Sequence, residues 1–318
     1  MPERGIQVVT GGAGFIGSHI CQILLKRGDR VRILDNFSSG KIANIEPFRT
    51  EYPGQLQVCK GDIRDPVTLA QVMEGATTVF HQAAMVSVQE SVENPLEANS
   101  VNLEGTLKVF QAAKEAGVRK LVFASSTAVY GSSEELPKRE TMAAQPLSPY
   151  AAAKYGSEIY GRIFSTLYRL PVVSLRYFNV FGPRQDPTSE YAAVIPKFIS
   201  RMLEGKRPVI FGDGEQTRDF VFVEDVARAN LLAAEADDAG GLALNIATGQ
   251  RYSLNDLVVI LDEILGLDFH PVYEPARLGE VRDSQADILL ANKTIGFVPE
   301  VAVRDGLRRT VEWFKANG

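Results

Sequence analysis

Between an apolar run at residues 6–9 and a helical pattern that begins at Phe15 stands Thr10-Gly11-Gly12-Ala13-Gly14-Phe15-Ile16-Gly17. Few folds accept so many glycines at a strand-to-helix junction. Without Cβ atoms the turn can be tight, and its backbone N–H groups can come close to a ligand. At a helix N-terminus those amides and the helix dipole together favour a pyrophosphate. Asp35 ends the next strand pattern, where a carboxylate can accept bonds from both hydroxyls of a ribose. The same charge repels a 2′-phosphate, so the two features point to NAD rather than NADP. Gly11, Gly14, Phe15, Ile16 and Gly17 are the turn positions assigned to that cofactor.

The remaining pattern agrees with such a turn. Nearly continuous apolar runs at 6–10, 30–34, 55–60, 78–81, 120–124, 172–176 and 242–246 read as strands covered on both faces. Helical patterns at 15–27, 66–74, 97–116 and 149–168 lie between them, the third ending at Gly117 and the fourth opening on Ser148-Pro149. The alternation predicts an α/β fold built on a doubly wound parallel (Rossmann) sheet. Beyond Tyr177 the rhythm loosens into Gly- and Pro-rich loops, with helices resuming at 192–203, 223–234, 254–265 and 303–316. We expect residues 1–176 to form the NAD-binding domain and 177–318 mainly a smaller, interwoven substrate domain, with 242–246 returning to the sheet.

Composition narrows the partners. The net charge is −5, with no long block of one sign, which argues against gripping nucleic acid or an anionic membrane. Two cysteines and three histidines cannot furnish a Cys/His metal cage, so no metal is expected. Cys21, Cys59, His19 and His81 read as packed or hydrogen-bonded structural residues. No apolar run approaches the roughly 18 residues of a membrane span. Residues 1–5 lead straight into a strand pattern, leaving no room for a signal peptide. A soluble, cytoplasmic protein is expected.

Two further groups fit the same cleft. Gly61-Asp62-Ile63 and Gln82-Ala83-Ala84 follow the third and fourth strand patterns, at the strand ends where ligands bind in doubly wound sheets. Tyr150-Ala151-Ala152-Ala153-Lys154 places a phenol and an ammonium on one helical face. A cation there is expected to lower the tyrosine pKa and make a base that works near neutrality. Ser125-Ser126-Thr127 ends the fifth strand pattern beside it.

In order and spacing these motifs resemble the extended short-chain dehydrogenases/reductases, and within them the nucleotide-sugar epimerases. Arg176-Tyr177-Phe178-Asn179-Val180-Phe181-Gly182, Gly212-Asp213-Gly214 and Arg218-Asp219-Phe220-Val221 extend the resemblance over essentially the whole chain. It implies NAD-dependent 4-epimerisation of a UDP-hexose through a transient 4-keto sugar. Tyr150 would remove the 4-OH proton, Ser126 would bond O4, and Lys154 would hold the nicotinamide ribose and tune Tyr150. Asn36, Ser38, Gly40, Asn102 and Tyr177 join the implied NAD contacts. Asn179, Arg218 and Arg277 are implied at the diphosphate, Val194 and Phe211 along the uridine, and Glu280 at its ribose. At the position where glucose-restricted members carry a tyrosine, this chain has Ser284, which leaves room for an N-acetyl group at C2.

Related chemistries are weighed by the same residues. A 4,6-dehydratase carries Asp-Glu after the strand-end hydroxyl, and here Thr127-Ala128 stands in that place. A UDP-glucuronate 4-epimerase or decarboxylase needs extra polar groups for a C6 carboxylate, and Arg176–Asn179 looks more like the neutral-sugar enzymes. A net keto-sugar reductase would use exchangeable NADP, against Asp35. A non-catalytic NAD-binding sensor sits poorly with intact Ser126, Tyr150 and Lys154. Apolar Leu103, Leu107, Phe110, Ile159, Ile163 and Leu167 exceed what one sheet face covers, and the resemblance implies a homodimer through those two helices.

Overall fold

In the computed structural model, residues 5–187, 193–276 and 281–317 are described. The strands are β1 (Ile6–Thr10), β2 (Arg30–Asp35), β3 (Leu56–Lys60), β4 (Ala76–His81), β5 (Lys120–Ser126) and β6 (Val172–Tyr177). With the strand Ala243–Ile246 they form one seven-stranded sheet, ordered β3-β2-β1-β4-β5-β6 and then Ala243–Ile246. Every pairing in it is parallel. The order reverses between β1 and β4, which opens a crevice above their C-terminal ends, the place where such sheets bind ligands.

Both faces of this sheet are covered, as its apolar strands require. On one face the helix α1 (Phe15–Lys26) and the helix Val223–Glu235 bury Ile20, Leu24 and Ala229 against Val9, Val122 and Val173. On the other face the helices Pro66–Met73, Thr106–Glu115 and Pro149–Leu167 cover Val8, Leu121 and Val172. Local chemistry sets the helix starts. Asp65 accepts from the amides of Val67 and Thr68 ahead of Pro66, and Ser148 accepts from the amide of Ala151 ahead of Pro149.

The helix expected at 97–116 is not one regular helix. It runs as Pro95–Asn99, a π-helical stretch Ser100–Gly105, and Thr106–Glu115. The wide turn brings Asn102 inward, where it is 1% exposed, and π-turns of this kind often sit at functional sites. A second correction concerns Phe110, expected on an outer face. It lies in the core, with its ring centre 5.9 Å from Phe123 and 5.5 Å from Phe164.

A separate core gathers Phe181, Phe198, Ile210, Phe222, Leu257 and Phe314. Around it run three small strand pairs: Asn179–Phe181 with Phe220–Phe222, Thr217–Arg218 with Tyr252–Ser253, and Val209–Phe211 with Val272–Glu274. The helix Leu254–Leu265 enters this region through a capping box of Ser253 and Asp256. Among the described residues, no helix is long and apolar enough to cross a membrane.

Candidate active site

Thr10 ends β1, and Gly11 turns the chain with φ of +66° while its amide bonds Leu34 O at 2.8 Å. A side chain at Gly11 would put Cβ 2.7 Å from the Ala83 amide nitrogen, so the turn passes directly against the end of β4. At Gly17 a Cβ would lie 2.1 Å from Gly11 O, which is why the helix can pack this closely on the turn. The N-cap residue of α1, Gly14, offers no side-chain acceptor, and the first turn carries no acidic residue. The first amides of α1 are thus left for an external anion.

Asp35 closes the far side. Its Oδ2 accepts from Ala13 N at 2.9 Å and its Oδ1 from Phe37 N at 2.8 Å. Burial pushes its carboxyl pKa up, and these two amides pull it back. Each oxygen keeps a lone pair for a ribose hydroxyl. Gly40 packs so near that a Cβ would sit 2.7 Å from Asp35 Oδ1. The glycine cradle, the uncapped helix and the oriented carboxylate together fit NAD.

The remaining positions expected at the cofactor fall around this crevice in different ways. Ser38 N bonds Asn36 Oδ1 at 3.0 Å, and Asn36 Nδ2 reaches Asp62 at 3.3 Å. The Asp62 carboxylate is gripped by the Arg64 guanidinium, which holds its pKa down at about 2. Ile63 is 5% exposed and packs beneath. Gln82 and Tyr177 meet at Asn230, with Tyr177 Oη 3.2 Å from Gln82 Oε1. Ala83 and Ala84 follow β4 as part of the loop that Asn102 holds. The Asn102 carboxamide accepts from Met85 N at 2.8 Å and donates to Met85 O at 2.9 Å. His81 lies below, bonded to Thr10 Oγ1 at 2.7 Å and Thr106 Oγ1 at 3.0 Å. Burial lowers its pKa to about 3, so it stays neutral.

Ser126, Tyr150 and Lys154 converge at the C-terminal end of β5. The Ala128 amide donates to Ser126 Oγ at 3.2 Å, which occupies an acceptor site and leaves the hydroxyl proton for another partner. The Tyr150 phenol lies near enough for the Ser126 side chain to lower its pKa. Lys154, 3% exposed, donates from Nζ to Ala124 O at 2.8 Å and lies 5.7 Å from the centre of the Tyr150 ring. Electrostatics here departs from the expectation of a cation lowering the tyrosine. Burial raises the Tyr150 pKa, and only the Ser126 hydrogen bond pulls it down. Burial also pushes Lys154 down from 10.5 to about 7. Lys154 is buried and Tyr150 half-buried, and loss of water penalises both charged forms.

On the other side of the crevice, Asn179, Val194, Phe211 and Arg218 all line one cavity of about 640 Å³. Arg218 Nη1 also donates to Thr217 O at 2.9 Å and Arg282 O at 2.8 Å. Arg277 and Glu280 lie outside the described residues. Ser284 is 7% exposed, its amide bonded to Thr217 O at 3.1 Å, and so it sits beside Arg218 on a neighbouring segment. Two residues that organise this wall are not apparent from local sequence. Asp219, fully buried, accepts from Thr248 N, Gly249 N and Ala286 N. Asn230, also fully buried, anchors Tyr177. Their only sequence signal is the motif Arg218–Val221 for the first and none for the second.

Known proteins resemble this chain over its whole length. The chain is 41% identical over 312 residues to a putative UDP-glucose 4-epimerase of Methanocaldococcus jannaschii, covering 98% of each. It is 34% identical over 319 residues to a UDP-glucuronate 4-epimerase of Thermodesulfobacterium geofontis, covering 98% of this chain and 97% of the relative. Among solved structures, a UDP-N-acetylglucosamine 4-epimerase from Methanobrevibacter ruminantium M1, in complex with UDP-N-acetylmuramic acid, superposes with a TM-score of 0.94 at 43% identity. That match covers 99% of this chain and 100% of that one. The profile of the NAD dependent epimerase/dehydratase family matches residues 7–247, from β1 through the last strand of the sheet. With the glycine turn, Asp35 and the Ser-Tyr-Lys group already in place on one parallel sheet, the chain belongs to the NAD dependent epimerase/dehydratase family.

Proposed function

We propose that this chain is a UDP-hexose 4-epimerase that retains NAD between turnovers and acts on both the UDP-glucose/UDP-galactose pair and its N-acetylated counterpart. One observation carries the reading: Tyr150 and Lys154 come together over the end of the strand that closes on Ser126, with Lys154 Nζ 5.7 Å from the centre of the Tyr150 ring and bonded to Ala124 O at 2.8 Å. Bound NAD supplies the acceptor, and then the donor, of the hydride at sugar C4. Tyr150, as phenolate, would take the 4-OH proton as C4 becomes a carbonyl and return it when the hydroxyl re-forms on the other face. Burial alone opposes that form, and the positive charges of Lys154 and of the oxidised nicotinamide would favour it. Ser126, its acceptor side occupied by Ala128 N, donates to the sugar oxygen or the phenolate as charge develops. Lys154 would hold the nicotinamide ribose of bound NAD.

Asn179 and Arg218 hold the diphosphate end, and Val194 and Phe211 flank the uridine. A firmly held diphosphate lets the keto sugar turn over without leaving. Ser284 supports tolerance of an N-acetyl group, being smaller than tyrosine by a phenol ring. A C6 carboxylate would need a free cation, and Arg176 is committed to Glu158 by a contact of 2.6 Å. The reading also includes a homodimer. Ile159, Tyr160 and Leu167 on the Tyr150 helix are exposed, as are Val88, Val92 and Leu96 on the helices Val88–Glu93 and Pro95–Asn99 that pack against it, apolar surface suited to a second copy.

The direct test is Tyr150→Phe assayed with UDP-galactose. Turnover should fall by about 10²–10⁴ with NAD still bound, since only the ionisable oxygen is lost. Near-normal turnover would assign the proton transfer elsewhere. A monomeric mass by light scattering at micromolar protein would contradict the dimer.

A further inference from the structure

Glu158 takes no part in the reaction outlined above, yet it is buried and lies on the same helix. Tyr150, Lys154 and Glu158 follow at i, i+4 and i+8, so all three face the sheet. Lys154 bonds Ala124 O on β5, and the next residue, Ser125, donates its hydroxyl to Glu158 Oε1 at 2.5 Å. The helix is therefore tied to the two residues immediately before Ser126.

Arg176 on β6 grips the same carboxylate, with Nε at 2.9 Å and Nη2 at 2.6 Å. Burial works against its charge, but the Glu158 carboxylate outweighs that and keeps it ionised. The chain of bonds continues in one direction. Arginine only donates, so Arg176 Nη1 gives a bond to Tyr130 Oη at 2.9 Å. Tyr130 must then donate onward, to Asn245 Oδ1 at 2.6 Å. The Asn245 amide nitrogen donates to Lys138 O at 2.9 Å and Asp287 O at 3.1 Å. Asp287 lies on the segment that carries Ser284.

A buried ion pair adds little net stability over apolar packing, but it admits few alternative registers. We infer that Glu158 is a positioning residue. It sets the register of the Tyr150 helix on the strand that carries Ser126. Through Arg176, Tyr130 and Asn245 it holds segment 283–287 to the same frame. This inference rests on the assignment of Tyr150 and Ser126 as the reacting pair.

Two variants test it by removing one hydroxyl each and leaving the ion pair intact. Ser125→Ala cuts the tie to β5, so kcat for UDP-galactose should drop about tenfold while KM stays within about twofold. Tyr130→Phe cuts the link toward Asp287, so KM should rise more than kcat falls. Glu158→Gln should show both effects, and the two single-hydroxyl variants decide the matter if it does not fold. Hydrogen exchange supplies a reading independent of turnover. Amides of the Tyr150 helix in Ser125→Ala, and of segment 283–287 in Tyr130→Phe, should exchange faster while those of α1 stay unchanged. Wild-type kcat in Ser125→Ala, or unchanged exchange in both variants, would overturn the inference. Absence of turnover in the wild-type protein would instead refute the proposed activity, with the exchange measurements still deciding the positioning.

Discussion

Replacing Lys154 with methionine should stabilise the fold while abolishing turnover. Burial lowers the ammonium pKa from 10.5 to about 7, and among the described residues its hydrogen bond is to Ala124 O at 2.8 Å. At about 1.36 kcal/mol per pKa unit, the buried charge costs about 5 kcal/mol below pH 7. Methionine fills a similar volume and removes that cost, but it leaves the Ala124 carbonyl without this donor, a loss of about 1–3 kcal/mol. The net gain is about 2–4 kcal/mol, or about 3–6 °C in Tm for a chain of this size. The sign follows from linkage. Below the folded pKa of about 7 both states carry the proton, and the full penalty applies. Between there and 10.5 the folded state sheds the proton while the unfolded state keeps it, so the penalty fades as pH rises. Thermal unfolding of nucleotide-free wild type and Lys154→Met from pH 6 to pH 10 should show the variant ahead at the acid end. The gap should close or reverse at the alkaline end. A variant less stable at pH 6, or a gap independent of pH, would refute the reasoning.

Three other perturbations follow from the site. Asp35→Ala should weaken NAD retention and raise the NADP/NAD affinity ratio by removing the charge that opposes a 2′-phosphate; wild-type protein that binds both alike would contradict this. Gly11→Ala forces a side chain into φ of +66° with Cβ 2.7 Å from Ala83 N, so it should cost at least about 2 kcal/mol of stability and release NAD, both measurable by melting and by absorbance. Ser284→Tyr should abolish conversion of UDP-N-acetylgalactosamine while sparing UDP-galactose, and unchanged preference between them would remove Ser284 from the specificity of the pocket.

Strands and turns were the most legible features because their signals are local. The apolar runs at β1, β2 and β5 end within two residues of the expected places, and Asp65 and Ser148 cap helices as their side chains dictate. The match was poorer where packing decides. Helical periodicity puts Phe110 on a face without saying whether sheet or solvent meets that face. Nothing in residues 100–105 announces a π-helical turn, whose benefit is the pair of bonds between Asn102 and the distant Met85. The Tyr150–Lys154 spacing gives proximity but not depth, and depth reverses the direction of the Tyr150 pKa. Arg176 reads from sequence only as a motif residue, and Glu158 carries no signal of its own. Only the crossing of the helix over β5 and β6 joins them.

The proposed chemistry is most directly tested by incubating purified protein with UDP-galactose in D2O, with no NAD added, and following the sugar by proton NMR. UDP-glucose should accumulate to equilibrium with protium, not deuterium, at C4, because the hydride leaves and returns without reaching solvent. Failure to convert the sugar, a requirement for added NAD, or deuterium at C4 would contradict it.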